Sequence, residues 1–106
     1  MGKQKVSDIV NSLFAEIVVG AVLYKAILPM TISEIKAVSL CNRYPSEYIE
    51  RIIKKMISYG LVFPHLEGKD FSKFSITEFG KYYYNKLCEQ NSDIGELMKQ
   101  IGEDLN

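Results

Sequence analysis

The sequence predicts a mainly α-helical domain with one small β-hairpin, and three observations carry that expectation. Over "PSEYIERIIKKMISYG" the apolar residues recur at helical spacing, about 100° apart per residue. "LVFPHL" and "FSKFSI" are rich in aromatic and branched residues and flank "EGKD", whose glycine suits a short hairpin turn. Thr31 and Thr77 each stand where a helix needs an oxygen for its first free amides.

The first helix is expected from about Ser7 to Leu28. Polar Asn11, Ser12, Glu16 and Lys25 are widely spaced in it, and after Glu16 there is almost no polar stripe. A helix apolar on nearly all sides must be covered on all sides. Two arrangements would do this: a second copy of the chain, or a central helix wrapped by its own domain. The first is the expected one, and makes the chain a homodimer with Val18, Val19, Val22 and Tyr24 at the interface.

Pro29 ends the helix, because proline disfavours helical geometry in the residue before it. Thr31 and Glu34 then have the spacing of a capping box, with Met30 and Ile35 placed as its hydrophobic staple. Ile32, Ile35, Val38 and Leu40 mark the apolar face of a short second helix, and "CNRY" supplies a turn. Pro45 suits the first turn of the third helix. There Ile49, Ile52, Ile53, Met56 and Ile57 share one side, with Tyr48 at its margin, while Glu47, Glu50, Arg51, Lys54, Lys55 and Ser58 share the other. Gly60 is the expected C′ residue. Two helices joined by a tight turn, the second strongly amphipathic, form a helix-turn-helix arrangement.

In the hairpin, Pro64 cannot donate to a central ladder, so the first strand is expected to be an edge or to break there. Phe71, Phe74 and Ile76 do not alternate strictly. Thr77 caps a fourth helix over "EFGKYYYNKLCEQ", with Glu78 near the positive end of its dipole. Tyr82, Tyr83 and Tyr84 cannot all face one way, so one or two pack on the domain and another stays partly exposed. Ser92 is the expected cap of a last helix, Asp93 to Leu105, whose stripe of Ile94, Leu97, Met98, Ile101 and Leu105 also needs a partner; Leu97, Met98 and Ile101 complete the expected dimer surface.

The whole chain, 1–106, reads as a single domain. Its net charge of zero is unevenly spread: residues 1–88 carry a net +4, residues 89–106 a net −4. The body is mildly basic, short of the excess usual in a nucleic-acid binder. The most apolar run, Ile17 to Tyr24, falls well below the roughly 20 residues needed to cross a bilayer, and Asp8 and Glu16 interrupt any signal-peptide pattern. A cytoplasmic compartment is expected. Cys41 and Cys88 have no metal-type spacing and read as reduced thiols, and His65 is the only histidine. With no phosphate loop, nucleophile elbow or metalloprotease motif, neither an enzyme nor a cofactor is expected.

The order of helix, helix-turn-helix, hairpin and trailing helix, from Ser7 to about Gln90, resembles a winged helix-turn-helix domain. "IERIIKKMISYGLVFP" resembles the end of a recognition helix and the start of a wing. "FSITEFGKYYYNKL" resembles the junction after the wing in regulators of the MarR and PadR type, and in similar small regulators of archaea and their viruses. The resemblance implies sequence-directed binding of double-stranded DNA by a dimeric transcriptional regulator, with the third helix in the major groove and the wing against the backbone or minor groove. On that reading Arg51, Lys54 and Lys55 are the cations of the reading helix, and Ser46, Glu47 and Glu50 lie near its start. Arg43 and Tyr44 stand at its approach, and Lys69 and Lys73 are wing contacts to phosphate. A solvated helix face explains the same charges, since Glu47 and Glu50 reduce its net to +1 and Glu47–Arg51 and Glu50–Lys54 fit ordinary i, i+4 pairing. The alternative function is a winged-helix module that binds a protein through the same surface.

Overall fold

The computed structural model describes residues 6–67 and 70–105, with the elements α1 (Val6–Lys25), α2 (Ile32–Ala37), α3 (Ser46–Ser58), β1 (Val62–Glu67), β2 (Asp70–Ile76), α4 (Glu78–Gln90) and α5 (Ser92–Leu105). The protein is mainly α with one antiparallel hairpin, as the periodicities require. None of its helices, among the described residues, is long and apolar enough to cross a membrane.

α1 lies at the centre, touching α3, α4, α5 and β2. This corrects the expected dimer surface. Val18, Val19 and Val22 have 0% exposure within a single chain, and Met98 and Ile101 are likewise buried in the common core. Tyr24 and Leu97 are half-buried against it, with the Tyr24 hydroxyl donating to the Asn85 side chain. The physical reason is that α5 turns back over α1 and spends its apolar stripe there. Its far end is fixed by the Asp104 carboxylate, which accepts from the Ser39 amide at 2.8 Å and the Ser39 hydroxyl at 3.2 Å. The acidic C-terminal helix is thus part of the fold.

α1 ends at Lys25, three residues before the expected Leu28. Ile27 is left 93% exposed, while Met30 leaves the helix path altogether to pair with Phe74. Met30 and Phe74 exchange both backbone bonds, at 2.9 and 2.8 Å, so Met30 acts as a one-residue third strand beside β2. That pairing explains how Pro64 is tolerated. Pro64 faces Phe74, whose N–H and C=O already point away toward Met30, so the missing N–H of proline falls on the open edge of β1. The register jumps between His65 and Leu66, which face Lys73 and Phe71, leaving Ser72 as the extra residue of a bulge. The bulge accounts for the broken alternation of Phe71, Phe74 and Ile76.

The caps follow the sequence closely. Thr31 and Glu34 form the expected capping box on α2. Beyond α2 the chain advances by successive i→i−3 bonds, Val38 to Ile35, Cys41 to Val38 and Tyr44 to Cys41, which bring Ile35, Val38 and Cys41 to the same inner side. α3 opens one residue after Pro45, whose carbonyl accepts from Tyr48 and Ile49. It closes in a Schellman motif: Leu61 N–H bonds Met56 O and Gly60 N–H bonds Ile57 O, both at 3.0 Å, with Gly60 at φ 77°. α5 starts after Asn91, whose carbonyl accepts from Ile94 and Gly95, one residue ahead of the expected cap at Ser92.

The strand-to-helix junction hangs on Thr77. Its Oγ1 accepts from Gly80 N–H at 2.9 Å, capping α4, and donates to Gly60 O at 2.7 Å, while its own N–H reaches Leu61 O at 3.0 Å. Gly80 is required there because a Cβ would stand 2.4 Å from Leu61 O and 2.8 Å from the Ile76 side chain. The end of α3, the return strand and the start of α4 are therefore one knot. Of the three tyrosines only Tyr84 is buried. It lies across Gly20 of α1 and its hydroxyl donates to Glu16 O at 3.4 Å, whereas Tyr82 and Tyr83 stay exposed.

Candidate nucleic-acid interface

α3 divides cleanly into two sides. Ile49, Ile52, Ile53 and Met56 are buried, and Ile57 and Tyr48 are half-buried beside them. On the other side Ser46, Glu47, Glu50, Arg51, Lys54, Lys55 and Ser58 are all exposed. A helix this polar on one side and this apolar on the other orients itself, since turning it would bury charges and expose isoleucines.

The charges on that exposed side differ in how they are held. Lys54 pairs with Glu50 one turn earlier at 3.3 Å, and both side chains are more than half exposed, the geometry of an exchangeable surface pair. Arg51 makes no ion pair among the described residues. Lys55 reaches back to α1, where its Nζ lies 2.6 Å from the Glu16 carboxylate. The hydrogen bond to Glu16, followed by the Coulombic attraction of the same group, raises the Lys55 pKa above its ordinary value.

Arg43 and Tyr44 stand before α3, as expected of its approach, and form a small shelf. The Arg43 guanidinium lies over the Tyr44 ring at 5.1 Å and near the Phe14 ring at 5.9 Å, with Nη2 donating to the Tyr44 hydroxyl at 3.1 Å. Tyr44 in turn packs on Tyr48 of α3 with ring centroids 5.6 Å apart. Such stacking keeps a cation in place without neutralising it. Behind the shelf, Lys36 donates to Tyr44 O at 2.6 Å and Asn42 O at 3.1 Å, so its ammonium holds the turn that launches α3.

The two lysines expected on a wing part company. Lys69 lies outside the described residues. Lys73 sits on β2 opposite His65, close enough to Glu34 to add to the lowering of that carboxyl's pKa, which the Thr31 backbone amide chiefly causes. Beside it the His65 ring makes a 2.8 Å contact with Ser75 Oγ and an edge-on contact with Phe63.

Two residues that shape this surface escaped the sequence reading, Glu16 and Lys36. Glu16 is 39 positions from Lys55, and no spacing rule links residues on different helices. Counting Arg43, Arg51, Lys54 and Lys55 against Glu16, Glu47 and Glu50, four cations face three carboxylates, a single net positive charge. No family model matches the chain, and no curated protein or solved structure matches it.

Proposed function

We propose that the chain is a winged-helix protein that binds double-stranded DNA, acting as a dimeric transcriptional regulator with α3 as its reading helix. The observation that carries this reading is the uncovered polar side of α3, with Arg51 and Lys54 exposed on it and Arg43 held beside its start. The order of elements supports it: α1, the Met30 strand, α2, α3 and the β1–β2 hairpin succeed one another as in a winged helix. The major groove, about 12 Å wide, accepts a helix, and an arginine fork can pair with a guanine edge there. Glu47 and Glu50 would discriminate among bases by accepting from the cytosine N4 amino group.

Of the residues the sequence suggested for the dimer, only Leu97 stays at the proposed surface. Leu13 and Phe14 remain exposed on α1, and Phe14 and Ile17 line an open groove against Ile94 and Leu97 of α5. A two-fold dimer reads successive major grooves when its two α3 helices stand about 34 Å apart, one turn of DNA.

Electrophoretic shift of a random duplex tests the reading. The parent should bind with steep salt dependence and two chains per bound duplex, and Arg51→Ala/Lys54→Ala should weaken binding several-fold and flatten the salt slope with little change in melting temperature. Equal binding by parent and double variant would remove α3 as the reading helix. The single net charge of the surface favours a second reading, a protein-interaction module on the same face; the absence of any shift at low salt selects it.

A further inference from the structure

We infer that Glu16 is an internal counterion that holds Lys55 away from DNA, so that α3 meets a polyanion with one cation fewer than its sequence carries. The inference rests on the DNA-binding reading above and deepens it.

Two ion pairs on α3 differ in kind. In Glu50–Lys54 both side chains are solvated, 52% and 71% exposed and 3.3 Å apart, so a phosphate can replace the glutamate at small cost. In Glu16–Lys55 the carboxylate is only 18% exposed and the separation is 2.6 Å. The backbone that carries Glu16 is fixed: it belongs to the central helix, and its carbonyl receives the hydroxyl of buried Tyr84. Moving the Lys55 ammonium to a phosphate would strand a sheltered carboxylate, which is costlier than parting a solvated pair. The raised pKa of Lys55 is the same attraction seen from the ammonium. Glu16 also adds a fixed negative charge beneath the surface that a phosphate would approach.

Removing the carboxylate's charge therefore frees Lys55 and adds one phosphate contact. Each such contact changes the slope of log K against log salt by about −0.9 on duplex DNA. The test measures fluorescence anisotropy of a labelled random duplex against the full chain over a salt series, for the parent, Glu16→Gln, Glu16→Gln/Lys55→Gln and Arg51→Ala/Lys54→Ala. Glu16→Gln should bind up to about tenfold tighter at low salt with a slope steeper by about 0.9, and adding Lys55→Gln should cancel both gains. If Glu16→Gln leaves affinity and slope unchanged, or weakens binding because Glu16 positions Lys55 for contact, the inference is overturned. Glu16→Met, which keeps the apolar stem, repeats the test if the glutamine variant does not fold. Should Arg51→Ala/Lys54→Ala bind as the parent does, the DNA reading itself fails; should it bind less while Glu16→Gln is silent, only the counterion role falls.

Discussion

Replacing Thr77 with valine isolates the junction on which the hairpin and α4 are hung. Valine keeps the shape and the β-branch of threonine and puts a methyl group in place of the hydroxyl, so no cavity enters the comparison. Two bonds go at once: the N-cap to Gly80 N–H at 2.9 Å and the donation to Gly60 O at 2.7 Å. Losing an N-cap oxygen typically costs about 1 kcal/mol. Gly60 is exposed, so water can take over its carbonyl, and the second loss is nearer the ordinary net value of about 1 kcal/mol than the larger penalty of a buried unpaired group. The total is about 2 kcal/mol, which for about 100 residues lowers the melting temperature by roughly 8–10 °C. Thr77→Ser keeps the oxygen, loses one methyl group at a half-buried site, and should fall within about 1 kcal/mol of the parent. Thermal and urea unfolding followed by circular dichroism on both variants gives the numbers. Equal stability of the valine and serine variants would refute the claim that the hydroxyl ties the junction together.

Two further outcomes follow from packing and burial. Gly20→Ala should destabilise the fold by about 1–2 kcal/mol, because the new Cβ would meet Tyr84 Oη at 1.7 Å and overpacking costs more than the roughly 1 kcal/mol that alanine returns in a helix; urea unfolding of Gly20→Ala with and without Tyr84→Leu should show the two costs less than additive, and full additivity would count against the contact. The Cys41 thiol is fully buried and its pKa is pushed up to about 11 by desolvation, so at pH 8 only about one thiol in a thousand is ionised. Alkylation mapped by mass spectrometry should label half-buried Cys88 well before Cys41 in the folded protein, and both together in urea; equal native rates would contradict the packing of the α2–α3 turn.

Much of the candidate surface could be read from the chain alone because α3 is governed by its own period. The residues assigned to each side of it lie on those sides, since 3.6-residue spacing fixes relative angle whatever surrounds the helix. The capping box at Thr31, the glycine after α3 and the threonine before α4 were equally legible, each being a local contest for a few backbone groups. The bulge at Ser72 was visible only as a fault in alternation, because pairing register is settled across two strands.

Local chemistry thus specified which segments are helices, where most of them stop and which side of each is apolar, because those outcomes depend on neighbours within about four residues. It left open what each apolar side would meet. Val18, Val19 and Val22 could have faced a second subunit, and it is the return of α5, anchored by Asp104 at Ser39, that closes over α1 instead. Likewise the charge pattern of α3 names its cations but not their partners. Whether Lys55 points to solvent or to Glu16 is decided by how two helices cross, a long-range packing outcome that no spacing along the chain encodes.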